Sequence, residues 1–263
     1  MAGKTINFRK APPEVQQGLL ASRRVEWQKY QMFNAAEPVM GEALQELLDA
    51  GRQAIPMQWI DSDKNEHKRV PGAGYVEPKY KSRLVGRGDL EHGDVRSDSP
   101  TCDIEAQNLI FSFAASNKLV IKSADITNAY FQGEELDRVL LFKQPEGGLE
   151  GLPEGTHLLA RVPIYGTRDA GRGFWKKLRR TLVSTGLKEN HIMKALYSYE
   201  KEGGVKIILG THVDDLLWAN KPEAQHIVDK ILKEFQCGKI EERAFRYCGK
   251  DILQDDDFNI KVM

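Results

Sequence analysis

Apolar residues along the chain alternate between helical and strand spacing. After Pro12–Pro13, Val15, Leu19, Trp27, Tyr30 and Phe33 predict a helix. Ala43, Leu44, Leu47 and Leu48 form the stripe of a short helix over 41–50, with Gly51 where a C-cap glycine belongs. Residues 54–61 read as a strand, DSDKNEH as a polar turn, and Arg83-Leu84-Val85 as part of a strand in a basic hairpin. Ser99-Pro100 is expected to open a helix running to about Asn117, with Ala106, Leu109, Ile110, Phe113 and Ala114 on one face. Leu119 to Asp125 reads as a strand, and a turn and another strand follow in NAYFQGEELDRVLLFKQPEG. A helix over about 169–185 carries Phe174, Trp175, Leu178 and Leu182 and stops at Gly186. A hairpin series occupies 195–219, Pro222 starts a helix with Ile227, Val228, Ile231, Leu232 and Phe235, and Phe245–Leu253 is a final strand pair. Helices and antiparallel hairpins interleave without a βαβ rhythm, so the expected class is α+β.

Composition narrows this picture. The 263 residues are 41% hydrophobic and 29% charged, a folded rather than a disordered balance and enough chain for a real core. No apolar run approaches the length of a membrane span, so no membrane partner is expected, and the N-terminus lacks the apolar stretch of a signal peptide. Cys102, Cys237 and Cys248 form no CxxC pair, which argues against a disulfide framework or zinc site and fits a reducing compartment. Lys+Arg and Asp+Glu both number 38. Zero net charge does not exclude nucleic-acid binding, because a basic groove balanced by an acidic site leaves no trace in the sum.

The candidate chemistry lies in two short segments. In THVDDLLWAN, Asp214 and Asp215 sit between two apolar runs, which puts both at a hairpin tip. Alone, such a pair reads as a solvated turn. Asp125 closes the apolar strand LVIKSAD, and alone reads as a strand-ending residue. Together, a strand-end aspartate and an Asp-Asp tip can bring three carboxylates to one point on a sheet. Such an oxygen-rich set suits Mg²⁺ or Mn²⁺ and two-metal phosphoryl or nucleotidyl transfer.

Taken with the segments YKSRLVGRG, SADITNAYFQGEEL, FKQPEG, ARVPIYGTRDAGRGFWKKL, THVDDLL and FRYCGKDI, the chain from about Trp59 to Leu253 resembles the reverse transcriptase domain of copia-type LTR retrotransposons. YKSRLVGRG is similar to the basic fingers segment K-x-R-L-V-A-R-G, and SADITNAYFQGEEL to the first palm motif D-V-x-N-A-F-L-N-G-x-L. FKQPEG, ARVPIYGTRDAGRGFWKKL, THVDDLL and FRYCGKDI resemble four further motifs of that family, and all six stand in its order. The resemblance implies a palm-and-fingers fold, with an antiparallel palm sheet backed by helices. It implies Asp125, Asp214 and Asp215 as catalytic carboxylates binding two Mg²⁺ (or Mn²⁺) per site, with the Ile126 carbonyl as a further ligand. Tyr130 would exclude a 2′-hydroxyl, or else is a core aromatic. Lys81, Arg83 and Arg87 would meet the triphosphate, or else line a solvated strand face. Tyr165 and Gly166 would pack on the incoming nucleotide, Arg168 and Arg172 on phosphates, His212 near the primer terminus, and Phe245, Tyr247 and Gly249 in the primer grip.

Some positions depart from the family pattern. His212 replaces a tyrosine, and Asp169-Ala170-Gly171 replaces Q-x-P, which would put an acidic Asp169 near template phosphates. The chain ends just past the primer-grip strand, so no thumb is expected. The expected division is an extension or linker over 1–54, fingers and palm over 55–255, and a short tail over 256–263. The implied function is RNA-directed DNA polymerase, with an RNA or DNA template and primer and dNTPs as partners. Integrase and RNase H regions would belong to the same Pol polyprotein, in a cytoplasmic particle or the nucleus. The alternatives are a catalytically silent remnant or nucleic-acid-binding module, and a metal-dependent phosphotransferase that needs no primer–template.

Overall fold

The computed structural model describes residues 5–70, 72 and 74–263; residues 1–4 of the expected extension, with Pro71 and Ala73, lie outside the described residues. The helices are α1 (Pro13–Met32), α2 (Gly41–Asp49), α3 (Ile104–Ser116), α4 (Ala170–Ser184) and α5 (Gln225–Lys233). The strands are β1 (Ala36–Val39), β2 (Ala54–Asp63), β3 (Tyr80–Gly86), β4 (Lys122–Asp125), β5 (Leu141–Lys143), β6 (His157–Ala160) and β7 (Lys188–Glu189). They continue with β8 (Leu196–Lys201), β9 (Gly204–His212), β10 (Asp215–Asn220), β11 (Glu241–Glu242), β12 (Ala244–Tyr247), β13 (Lys250–Gln254) and β14 (Ile260–Val262). The class is α+β, as expected. The chain divides into two units, one running through Ser97 and including Glu135–Ala170, the other made of Asp98–Glu134 and Gly171–Met263.

The first unit is built on a five-stranded sheet of order β1-β6-β5-β2-β3, antiparallel except for the parallel β2–β5 pair. α1 starts with proline in its first turn, where a missing N–H costs nothing. It buries Leu19, Trp27 and Tyr30. The Tyr30 hydroxyl donates to the Leu84 carbonyl at 2.7 Å, and the Ser82 N–H donates to Ser22 Oγ at 2.7 Å, which fixes α1 on β3. A Cβ on Gly18 would stand 2.3 Å from the Tyr80 ring, so only glycine permits that approach. α1 and β1 therefore belong to this unit, whereas the sequence reading set residues 1–54 aside as an extension. α2 ends as expected: Gly51, at φ +76°, lets its own N–H reach Leu48 and the Arg52 N–H reach Leu47. Its apolar stripe, however, buries no residue.

The second unit is built on a six-stranded antiparallel sheet of order β11-β4-β10-β9-β8-β7. Alternation along the strands sends side chains to two cores. On one face Ala124, Leu209, Leu216 and Trp218 pack against Phe174, Leu178 and Leu182 of α4 and Ile227, Val228 and Ile231 of α5. On the other, Leu196, Ile208, Leu217 and Ala219 pack against Ala106, Ile110, Phe111 and Ala114 of α3. Phe245, Tyr247 and Ile252 of a three-stranded sheet, β12-β13-β14, join that second core. β14 comes from the segment read as a tail. α3 starts four residues later than Pro100 suggests, because the Asp103 carboxylate caps the Ala106 N–H at 2.8 Å. Its buried face is also rotated from the expected one: Phe111 is inside and Leu109 is 42% exposed. Among the described residues no helix is long and apolar enough to cross a membrane.

Candidate active site

Three strands of the second unit converge on one row. β4 and β10 pair with Asp125 directly opposite Asp215, and β10 and β9 pair with Asp215 directly opposite His212. Directly opposed residues share a face and stand close. Asp214 lies in the two-residue loop that joins β9 to β10. One carboxylate oxygen from each of Asp125, Asp214 and Asp215 lies within 4.8 Å of the others. The sequence reading of a strand-end aspartate meeting an Asp-Asp tip is thus what the sheet builds.

The surrounding backbone is fixed on both sides. The Ile126 N–H donates to the Asp214 carbonyl at 2.8 Å, and the Gly238 N–H donates to the Asp125 carbonyl at 2.7 Å. The Ile126 side chain is fully buried, which anchors the strand end beside the carboxylates. Val213, in the loop, takes φ +56°. A β-branched residue in that region is strained by about 1–3 kcal/mol, and such strain is tolerated where the surrounding structure over-determines it.

Burial, then repulsion from Asp214 and Asp125, raises the Asp215 carboxyl to about 6. A cation among these oxygens would relieve both effects. Three hard oxygen donors suit Mg²⁺ or Mn²⁺, so the residues present fit such an ion. His212 is half-buried, with Nδ1 buried and no hydrogen-bond partner. Tyr130 lies in a 3-10 turn, Ala129–Gln132, half-buried against the α4/α5 core.

Two of the expected primer-grip side chains turn inward. Phe245 and Tyr247 alternate into the α3 core and are 7% and 1% exposed, so they are core residues. Gly249 and Cys248 form the β12–β13 loop, both at positive φ. Arg172 is committed to Asp98, donating to its carboxylate at 2.9 Å.

The remaining expected residues belong to the first unit. Lys81 and Arg83 lie on β3, and the Arg83 guanidinium sits 4.4 Å over the Tyr165 ring. Gly166 takes φ +87°, and a Cβ there would stand 2.3 Å from the Gly86 carbonyl, so glycine is required. Its carbonyl accepts from the Gly88 N–H at 3.2 Å, zipping residues 165–166 to the end of β3. Arg87 is held by Asp89 at 2.6–2.7 Å, and Arg168 donates to the Gly93 carbonyl at 2.7 Å.

Sequence reasoning missed two groups. Arg138 grips Asp169 with two bonds at 2.8–2.9 Å and also pairs with the buried Glu91. Asp169 is therefore occupied within the chain rather than presented to a template phosphate. Lys64 joins Lys81 and Arg83; its only sequence signal was a lysine in a turn read as merely polar.

A family described as reverse transcriptase (RNA-dependent DNA polymerase) matches residues 46–262. The chain is 24% identical over 171 residues to a retrovirus-related Pol polyprotein from transposon RE2 of Arabidopsis thaliana, covering 62% of this chain and 12% of that protein. It is 25% identical over 171 residues to the corresponding polyprotein from transposon RE1 of the same plant, covering 62% of this chain and 11% of that protein. The matched region is thus a small fraction of the length of these relatives.

Proposed function

The chain belongs to the reverse transcriptase (RNA-dependent DNA polymerase) family, and on that premise we propose that it extends a primer by RNA-directed DNA synthesis. The observation that carries the proposal is the convergence of Asp125, Asp214 and Asp215 within 4.8 Å. In this reading the six-stranded unit is the palm and the five-stranded unit contributes the fingers. The three carboxylates, with the Ile126 carbonyl, would hold two Mg²⁺ (or Mn²⁺). Bound there, such ions supply Lewis acidity at the primer 3′-hydroxyl and at the triphosphate. Tyr130 would close the sugar pocket against a 2′-hydroxyl. Lys81 and Arg83, with Lys64, would neutralise triphosphate oxygens. His212, opposite Asp215, would border the primer terminus. A primer–template and dNTPs are the proposed partners, with other regions of a Pol polyprotein and a cytoplasmic particle or the nucleus as the setting.

The test is incorporation of labelled dTTP on poly(rA)–oligo(dT), with Mg²⁺ and with Mn²⁺, beside an Asp214→Asn/Asp215→Asn control. Incorporation that disappears in the control supports the proposal. Incorporation untouched by the double substitution, or none from a protein shown to be folded, refutes it for this chain.

A further inference from the structure

In the first unit, strand register separates charge by sign. β2 and β3 pair so that Asp61 faces Ser82 and Asp63 faces Tyr80, while Ser62 faces Lys81 and Ile60 faces Arg83. Opposed residues share a face and successive residues alternate. Both β2 carboxylates therefore lie on the face that α1 covers, where Asp61 pairs with Arg23 of α1 and Asp63 pairs with Arg69. Lys81 and Arg83 lie on the other face, away from those carboxylates. Arg83 is held there by the Tyr165 ring at 4.4 Å. Lys64 enters from the loop after β2, its backbone N–H on the Lys79 carbonyl at 2.9 Å.

We propose that Lys81 is an acylation site, a lysine whose Nζ takes an acyl group from anionic donors of the acyl phosphate class. Burial comes first in lowering its ammonium to about 8, followed by the neighbouring charges of Arg83, Lys64 and Lys29, the last of which is itself paired with Glu26. Roughly a quarter of Lys81 is then free amine at pH 7.5, against about one in a thousand for an ordinary lysine. The side chain is half-buried, so a small donor can reach it. Arg83 and Lys64 supply the positive charge that draws in the donor's phosphate. The Nζ lone pair attacks the acyl carbon, the new N–C bond forms, and the C–O bond to phosphate breaks. Phosphate leaves with the electron pair of that bond, and the amine loses one proton to solvent or to the leaving phosphate. The product is a neutral amide, which removes one of the crowded charges and so favours completion.

The experiment exposes the full chain briefly to acetyl phosphate at pH 7.5 and follows each lysine by site-resolved mass spectrometry. N-hydroxysuccinimidyl acetate serves as an uncharged donor, and excess inorganic phosphate as a competitor. Lys81 is expected to acetylate about tenfold or more faster than the median lysine, the gain in free amine less the nucleophilicity lost with a lower pKa. The excess should shrink with the uncharged donor and with added phosphate. Lys64→Gln should slow Lys81 several-fold without changing the median. A Lys81 rate within twofold of the median in the unsubstituted chain would overturn the proposal, whatever the variant does. An equal excess with both donors would overturn its preference for anions.

Discussion

Replacing Asp215 by asparagine should stabilise the metal-free chain, and the gain should depend on pH. The Asp215 carboxyl is raised from 3.8 to about 6 by burial and by Asp214 and Asp125. A carboxyl with a raised folded-state pKa binds its proton more tightly folded than unfolded. Its ionisation therefore penalises the fold: the penalty is absent below about pH 4, grows between about 4 and 6, and is complete above that. A shift of about two units corresponds to about 3 kcal/mol at most, and the residue's partial exposure trims this, so about 1–3 kcal/mol is expected near pH 7.5. At about 2–4 °C per kcal/mol for a chain of this size, Asp215→Asn should melt several degrees higher at pH 7.5 in EDTA. The same comparison at pH 4.5 should show most of that gain gone, because the folded parent then keeps position 215 largely protonated. Adding Mg²⁺ should raise the melting temperature of the parent more than that of the variant, since the cation offsets the same repulsion. A variant that melts lower at pH 7.5, or one whose gain is equal at both pH values, would refute the reasoning.

Four further substitutions test the framework of the site. Val213→Gly releases the φ +56° strain and should raise stability by about 1 kcal/mol after the entropy cost of glycine, as read by thermal melting; a lower melting temperature contradicts it. Gly210→Ala puts a Cβ 2.6 Å from Cys102 Sγ and 2.8 Å from Ile110 Cδ1, and should cost about 1–3 kcal/mol in urea unfolding. Adding Cys102→Ala should recover part of that loss, and strict additivity of the two would argue against the contact. Phe245→Ala should cost about 3–5 kcal/mol of stability, as a core truncation does; a stable variant with weakened primer binding would restore the surface role that the resemblance implied.

The parts of the site that were legible in the sequence are local. An aspartate closing an apolar run and two more at a hairpin tip need only strand–turn–strand logic, and the sheet confirms their convergence. Register is not local. Nothing in the spacing of residues 122–125 and 215–220 says that Asp125 faces Asp215 rather than Leu216. The two- to four-residue strands β1, β6, β7 and β11 carry too short a pattern to be read, and they are defined by their partners. Partners also decide Arg87, Arg168 and Arg172. Each was read as a cation awaiting phosphate, and each meets an oxygen of its own chain, the last two across about 75 residues. For Phe245 and Tyr247, the F-x-Y alternation was itself the signature of an inward strand face, and the motif resemblance obscured it.

Strand parity also explains why the acidic row is neither buried nor fully wet. Asp215 has the parity of Leu217 and Ala219, and His212 that of Gly210 and Ile208, so the row continues the face that α3 covers. It falls one step beyond the end of that core, where strands give way to loop. Burial there is enough to raise Asp215, yet one side stays open to solvent. A one-residue slip between β9 and β10 would turn Asp215 to the α4/α5 face and replace it with a neighbour of opposite parity. The two-residue loop Val213–Asp214 is what forbids the slip, and the positive φ of Val213 is the local cost of so short a connection. The strain and the register are therefore one feature. Lengthening the loop by one residue should relieve Val213 and raise stability, while disrupting the carboxylate row. Tighter folding with loss of Mg²⁺-dependent stabilisation is the paired outcome to look for, and a longer loop that keeps both the strain and the metal response would show that register is fixed elsewhere.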